Sequence, residues 1–268
     1  MRKTILVTGS TDGIGLATAR ELISQGHKVL LHGRDARKLE QVYTDLAGQA
    51  DSELVEKYVA DLSIMADVET LAKAIAQQHA KLDVLINNAG VFRVAEPTTI
   101  DGLDVRFAVN TIAPYLLTQR LLSLFEGSGR VISLSSAAQS PVNTEALAGR
   151  IQISDAFEAY AQSKLALTMW SIRLSQALNS KGPAIIAVNP GSMLGSKMVR
   201  EGFGVTGGDL AKGADILCRA ALTEEFSAAS GQYFDNDSGQ FSTPHPEALN
   251  PQKITDVVRV IEDTLGGL

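Results

Sequence analysis

The stretch TILVTGSTDGIG, residues 4–15, decides the fold. Thr4 to Val7 is a short β-branched and leucine run bounded by turn residues, which reads as a buried strand. Gly9, Gly13 and Gly15 follow in a G-x-x-x-G-x-G spacing, and helical periodicity then predicts a helix over 14–25 with Gly26 as its C-cap. The turn aims the unpaired N–H groups of a helix start at whatever lies beyond the strand, an arrangement suited to a pyrophosphate. The spacing departs from G-x-G-x-x-G, and taken alone the loop could be a plain strand-to-helix turn.

The same alternation continues along the chain. Strand-like runs occur at 28–32, 54–60, 82–87, 130–134 and 184–189, with a short one at 232–235. Helical stretches are expected near 36–48, 64–79, 102–125, 155–180, 208–222 and 251–265. Strands alternating with helices imply right-handed crossovers and a parallel sheet covered on both faces, so the chain is expected to form one α/β doubly wound domain of about seven strands spanning residues 1–268. Ligands of such sheets bind at the carboxyl ends of the strands. The irregular segments 139–154 and 191–208 follow strand ends and are expected to shape a substrate site.

Composition narrows the function. The net charge of -6 argues against nucleic acid and anionic membrane surfaces as partners, leaving a small molecule. The N-terminal MRKTILVTGS has too short an apolar run for a signal peptide or membrane anchor, so a cytoplasmic protein is expected. Cys218 is the single cysteine and reads as packed in a helix; His27, His32, His79 and His245 lack ligand spacing, so packing or surface roles and no metal site are expected.

Further along lies EAYAQSKLAL, residues 158–167, where Tyr160 and Lys164 stand one helical turn apart on one face. Between Ala159 and Ser180 the only other charge is Arg173, so the helix is expected to be largely buried and Lys164 needs a partner that the stretch does not supply. NNAG at 87–90 and Ser135–Ser136 end the fourth and fifth strands; each alone reads as an ordinary strand end.

Together, TGSTDGIG, ADL at 60–62, NNAG, FAVN at 107–110, the paired serines, YAQSK and NPGS at 189–192 resemble the short-chain dehydrogenase/reductase family over nearly the whole chain. By that resemblance Tyr160 is the acid/base, Lys164 contacts the nicotinamide ribose and lowers the tyrosine pKa, Asn110 supports a proton relay, and Ser136 holds the substrate oxygen. The resemblance also assigns cofactor contacts to Gly9, Ser10, Thr11, Asp12, Gly13, Ile14, Gly15, Arg34, Asp61, Leu62, Asn88, Ala89, Gly90, Pro190 and Gly191, besides Tyr160 and Lys164. A phenol titrates near 10, and each unit of lowering requires about 1.4 kcal/mol of differential stabilisation, which a nearby cation can provide. Ser136 lies 24 positions before Tyr160, a longer separation than many members have. That segment, with HGRD, SKLAL and NPGS, looks like the retinol dehydrogenase and WW-domain oxidoreductase branch.

HGRD at 32–35 bears on the cofactor. Asp35 is placed as an N-cap of the next helix, whereas Arg34 has no structural task and suits a 2′-phosphate, with Arg37 and Lys38 adding charge. The expectation is an NADP(H)-dependent oxidoreductase, with NAD second, interconverting an apolar carbonyl compound and its alcohol. Met193, Leu194, Met198, Phe203 and Val205 would face that ligand or dock the 191–208 segment as a lid. The rivals are a dehydratase or epimerase on the same scaffold and a non-catalytic redox sensor. A homo-oligomer joined through the 155–180 helix is a further expectation.

Overall fold

A computed structural model describes residues 1–49, 51–179 and 181–268, with residue 203 described through its backbone alone. The first strand β1 (Thr4–Val7) leads into α1 (Gly13–Ser24), followed by β2 (Lys28–Gly33), α2 (Ala36–Gln49), β3 (Val55–Val59), α3 (Met65–Gln78) and β4 (Val84–Asn87). The second half runs α4 (Val105–Phe107), α5 (Ala113–Leu121), β5 (Arg130–Leu134), α6 (Thr144–Leu147), α7 (Ala156–Leu178), β6 (Ala184–Asn189), α8 (Lys197–Phe203), α9 (Leu210–Leu222), β7 (Tyr233–Asp235), β8 (Gln240–Ser242) and α10 (Pro251–Gly266).

The sheet order is β3-β2-β1-β4-β5-β6-β7-β8. The seven expected strands pair in parallel; the eighth, β8, is antiparallel to β7 and was not anticipated, because it has only three residues and Phe241 is its single apolar one. Side chains alternate across the sheet into two cores. Leu6, Leu30 and Leu85 face α3, α5, α7 and α10, whereas Ile5, Val7 and Ile86 face α1, α2 and α9. With apolar groups on both faces, polar residues concentrate at the strand ends, which converge at one edge beside the β1/β4 switch.

The helix expected at 102–125 is broken. Residues 108–112 form a π-helical turn between α4 and α5, and a 3-10 turn follows at 122–124. Pro114 has no N–H to give the carbonyl of Asn110 four residues back, which disfavours a regular α-helical turn there. The expected end of the 155–180 helix at Ser180 lies outside the described residues. Within segment 139–154, α6 buries Ala146 and Leu147 in the core, so part of that segment is scaffold.

Part of the helix expected to join a homo-oligomer packs against α10 of its own chain. Trp170 and Leu174 of α7 share a core with Ile254, Val257 and Ile261 of α10, and the Tyr115 hydroxyl donates to Glu262 at 2.7 Å. Among the described residues no helix is long and apolar enough to cross a membrane.

His32 fixes the loop after β1. Its Nδ1 accepts from the Gly9 N–H at 3.1 Å, and its Nε2 bonds the Ala60 carbonyl at 3.1 Å. The ring must therefore be neutral with the proton on Nε2. Burial pushes its pKa down from 6.5 to about 4. Unfolding lets His32 take up a proton more readily, so its contribution to stability is complete above pH 6.5 and is lost as the pH falls from 6.5 towards 4. Equilibrium unfolding at pH 7 and pH 4.5 should show the wild type losing about 2–3 kcal/mol more than His32→Gln, which keeps a neutral donor and acceptor. Equal losses in the two proteins would remove His32 from this role.

Candidate active site

The loop after β1 and the NNAG turn after β4 interlock. Gly9 has φ +65, and a Cβ there would stand 2.8 Å from the Ala89 Cα; at Gly15 it would stand 2.3 Å from the Asn88 amide nitrogen. Asn88 Nδ2 donates to the carbonyls of Thr8 and Gly9 at 2.8 and 3.1 Å, and the Thr8 hydroxyl accepts from the Asn88 and Ala89 N–H groups at 3.0 Å each. Two of the three glycines thus serve close backbone packing. Gly13, φ +54, opens α1, where a Cβ would approach only Ser196 at 3.7 Å.

The remaining expected cofactor positions divide by what they touch. Ser10 is buried and exchanges hydrogen bonds with His32, while Ile14 packs beside the α1/α9 core. Thr11 fills the space a Cβ on Gly33 would occupy. Asp12 caps α1 through the Gly13 N–H and pairs with Lys38 at 2.6 Å, so Lys38 already has a partner. Asp61 accepts from Ser63 and its N–H donates to Asp67, whereas the Leu62 side chain lies in the core. The Pro190 carbonyl accepts from Asn236, and the Gly191 N–H donates to Asn189. Asp35 caps α2 by accepting from the Arg37 and Lys38 N–H groups, as expected. Arg34 is exposed and forms no hydrogen bond or ion pair with the described residues.

The four expected catalytic residues come together from three elements: the π-helical turn, the turn after β5 and α7. Asn110 sits in the π-helical turn, its Oδ1 accepting from the Val91 N–H at 2.8 Å and its Nδ2 donating to the Val91 carbonyl and the Ser163 hydroxyl at 3.0 Å. A Cβ on Gly90 would lie 3.4 Å from Asn110 Oδ1 and 3.7 Å from Lys164 Nζ. Lys164, 4% exposed, donates to the Leu134 carbonyl at 2.7 Å, and its Nζ stands 5.6 Å from the Tyr160 ring centre. Ser135 bonds the buried Thr168 of α7, so the second serine, Ser136, is the one beside the phenol. The Tyr233 hydroxyl donates to the Ser136 carbonyl at 3.2 Å and anchors that turn, a support the sequence did not reveal.

Desolvation pushes the Lys164 ammonium down to about 7. It also raises the Tyr160 phenol above its ordinary value, an effect that Ser136 opposes. The lowering of the tyrosine by the lysine that the family resemblance implied is therefore not seen in the protein by itself, where Nζ is directed to a backbone carbonyl. An ammonium carries three donors, and among the described residues only the Leu134 carbonyl accepts from this one. That buried surplus of donors, together with the free Arg34, fits the ribose hydroxyls and added phosphate of a nicotinamide dinucleotide. Cys218 is buried and desolvation pushes its thiol up to about 12, and no cluster of metal-ligating side chains occurs among the described residues.

Segment 191–208 is a closed excursion over this edge. Gly195 N–H donates to the Gly208 carbonyl and Gly208 N–H to the Met193 carbonyl, both at 2.7 Å, while Ser192 is held by Asp237 at its base. Within it Ser196 caps α8 and Leu194 packs near Ile14 and Gly213. Met198 reaches towards Gly90, while Met193 and Val205 are exposed; the expected role of the Phe203 side chain lies outside the described residues.

Comparison with known proteins agrees with this geometry. Human retinol dehydrogenase 13 is 32% identical over 271 residues, covering 92% of this chain and 79% of the relative. Human polyprenol dehydrogenase is 32% identical over 255 residues, covering 87% and 76%. Among solved structures, a Mycobacterium paratuberculosis protein superposes with a TM-score of 0.80 at 26% identity, over 98% of this chain and 92% of that one. The Pseudomonas aeruginosa RhlG/NADP active-site complex superposes at 0.70 and 26% identity, over 88% and 95%. The sequence pattern of the short chain dehydrogenases matches residues 3–203, and the chain belongs to the short-chain dehydrogenase/reductase family, in its retinol dehydrogenase-like branch.

Proposed function

We propose that this oxidoreductase uses NADP(H) to interconvert a small apolar carbonyl compound and its alcohol, with Tyr160 as the acid/base. The observation that carries the reading is the convergence of Tyr160, Lys164, Ser136 and Asn110 beside Gly90 at the carboxyl edge of the sheet. Bound NADPH supplies the hydride for the carbonyl carbon. The Tyr160 hydroxyl gives its proton to the carbonyl oxygen as negative charge develops there, and Ser136 hydrogen-bonds the same oxygen. Held protonated by its surroundings, Tyr160 is in the form needed for reduction. Lys164 favours the tyrosinate that remains, and Asn110 keeps the turn around Val91 and Ser163 in register for proton return.

Arg34 supports the choice of NADP(H), since its guanidinium is exposed at the end of β2 and has no partner among the described residues, while Asp35 is engaged in capping. The relatives named for retinol and polyprenol, with exposed Phe157, Met193 and Val205 near the site, support an apolar substrate. In this reading segment 191–208 acts as the lid.

Consumption of NADPH with a panel of aldehydes and ketones tests the activity. Tyr160→Phe should lower turnover by about two orders of magnitude or more while NADPH affinity stays nearly intact. Lys164→Ala should damage both; a Tyr160→Phe variant with near-normal turnover would reject the acid/base assignment. Arg34→Ala should weaken NADPH binding by about tenfold or more, the scale of one lost hydrogen bond to a charged group, and leave NADH binding unchanged. Fluorescence titration with the two nucleotides measures this, and equal affinities in the unmodified protein would refute the NADP preference.

A further inference from the structure

Phe92 lies two residues beyond Gly90 and is 4% exposed. Its ring meets Tyr160 edge to face, with centroids 5.3 Å apart at 60°, and meets Phe157 at 6.3 Å and 79°. On its other side is α8. A Cβ on Gly202 would stand 2.6 Å from both Cδ1 and Cε1 of Phe92, so the backbone of that helix rests directly on the ring.

Gly202 is buried within α8 and does not have the positive φ that calls for glycine. In a helix interior glycine costs about 1 kcal/mol relative to alanine. The close approach to Phe92 is what requires it. One turn earlier, Met198 Cε comes within 3.7 Å of a Cβ position on Gly90, so α8 touches the site at two points. The Arg93 guanidinium, 5.5 Å from the Phe92 ring centre, lies against the same ring.

We propose that Phe92 is a positioning residue for Tyr160, and that the notch at Gly202 seats α8 on Phe92 so that the lid sets the plane of the catalytic ring. An aromatic ring packed edge to face has a preferred tilt, and displacing one partner moves the other. The seating of α8 is therefore felt at the phenol through a single intervening side chain. The proposal rests on the acid/base reading of Tyr160 for its catalytic meaning, although the mechanical link can be measured without turnover.

The test is a double-mutant cycle read by NMR on the whole protein with 13C-labelled tyrosine, the Tyr160 signal being identified by its loss in Tyr160→Phe. Gly202→Ala should shift the Tyr160 ring resonances in the Phe92 protein, and should leave them in place when Phe92→Ala is already present. Absence of a shift, or the same shift in both backgrounds, overturns the proposal. If Gly202→Ala does not fold, Phe92→Leu carries the test: hydrogen exchange of amides 197–203 should quicken at least fivefold, and unchanged protection overturns the seating. For any carbonyl that the NADPH assay shows to be turned over, Gly202→Ala should lower kcat about tenfold with the KM for NADPH unchanged. Full activity in Tyr160→Phe would reject the catalytic reading while leaving the NMR outcome to judge the link.

Discussion

A parallel sheet must be covered on both faces, and most of this molecule follows from that requirement. Each strand returns through a helix, so every strand from β1 to β6 points its carboxyl end towards the same edge. Apolar residues fill both faces, as the alternation of Ile5, Leu6 and Val7 between the two cores shows. Groups with chemistry are left to the ends: the glycine loop after β1, NNAG after β4, Ser136 after β5 and NPGS after β6.

At that edge the ends hold one another before any ligand enters. His32 from β2 takes the Gly9 N–H, Thr8 just after β1 takes two N–H groups of the NNAG turn, and Asn88 returns its amide to the carbonyls of Thr8 and Gly9. The loop that would receive a pyrophosphate is thus fixed by side chains on both flanks, which lowers the ordering cost of binding. Lys164 is treated differently: its buried ammonium has one carbonyl partner among the described residues, and desolvation lowers its pKa to about 7.

Local chemistry made much of this visible in the sequence. Short apolar runs marked the seven parallel strands, and the Tyr160–Lys164 spacing placed both on one face of a helix whose buried character was read from its lack of charge. Asp35 as an N-cap followed from its position alone. What escaped depended on distant partners. The grip of Tyr233 on Ser136 and the wedging of Phe92 between Gly202 and Tyr160 join segments with no local signature in common. The glycine spacing marked a tight turn with a close backbone approach, but not that Gly9 and Gly15 approach Ala89 and Asn88; sequence cannot tell one close approach from another.

The cover that α10 places over α7 has a consequence for the order in which the molecule is completed. Trp170 and Leu174 find their outer partners in Ile254, Val257 and Ile261, about eighty residues further along the chain. A ribosome making this protein therefore finishes α7 long before its covering helix emerges. Until residues 251–266 are released, the apolar stripe of α7 stands open to water and to other chains, and α10 is the helix that closes it.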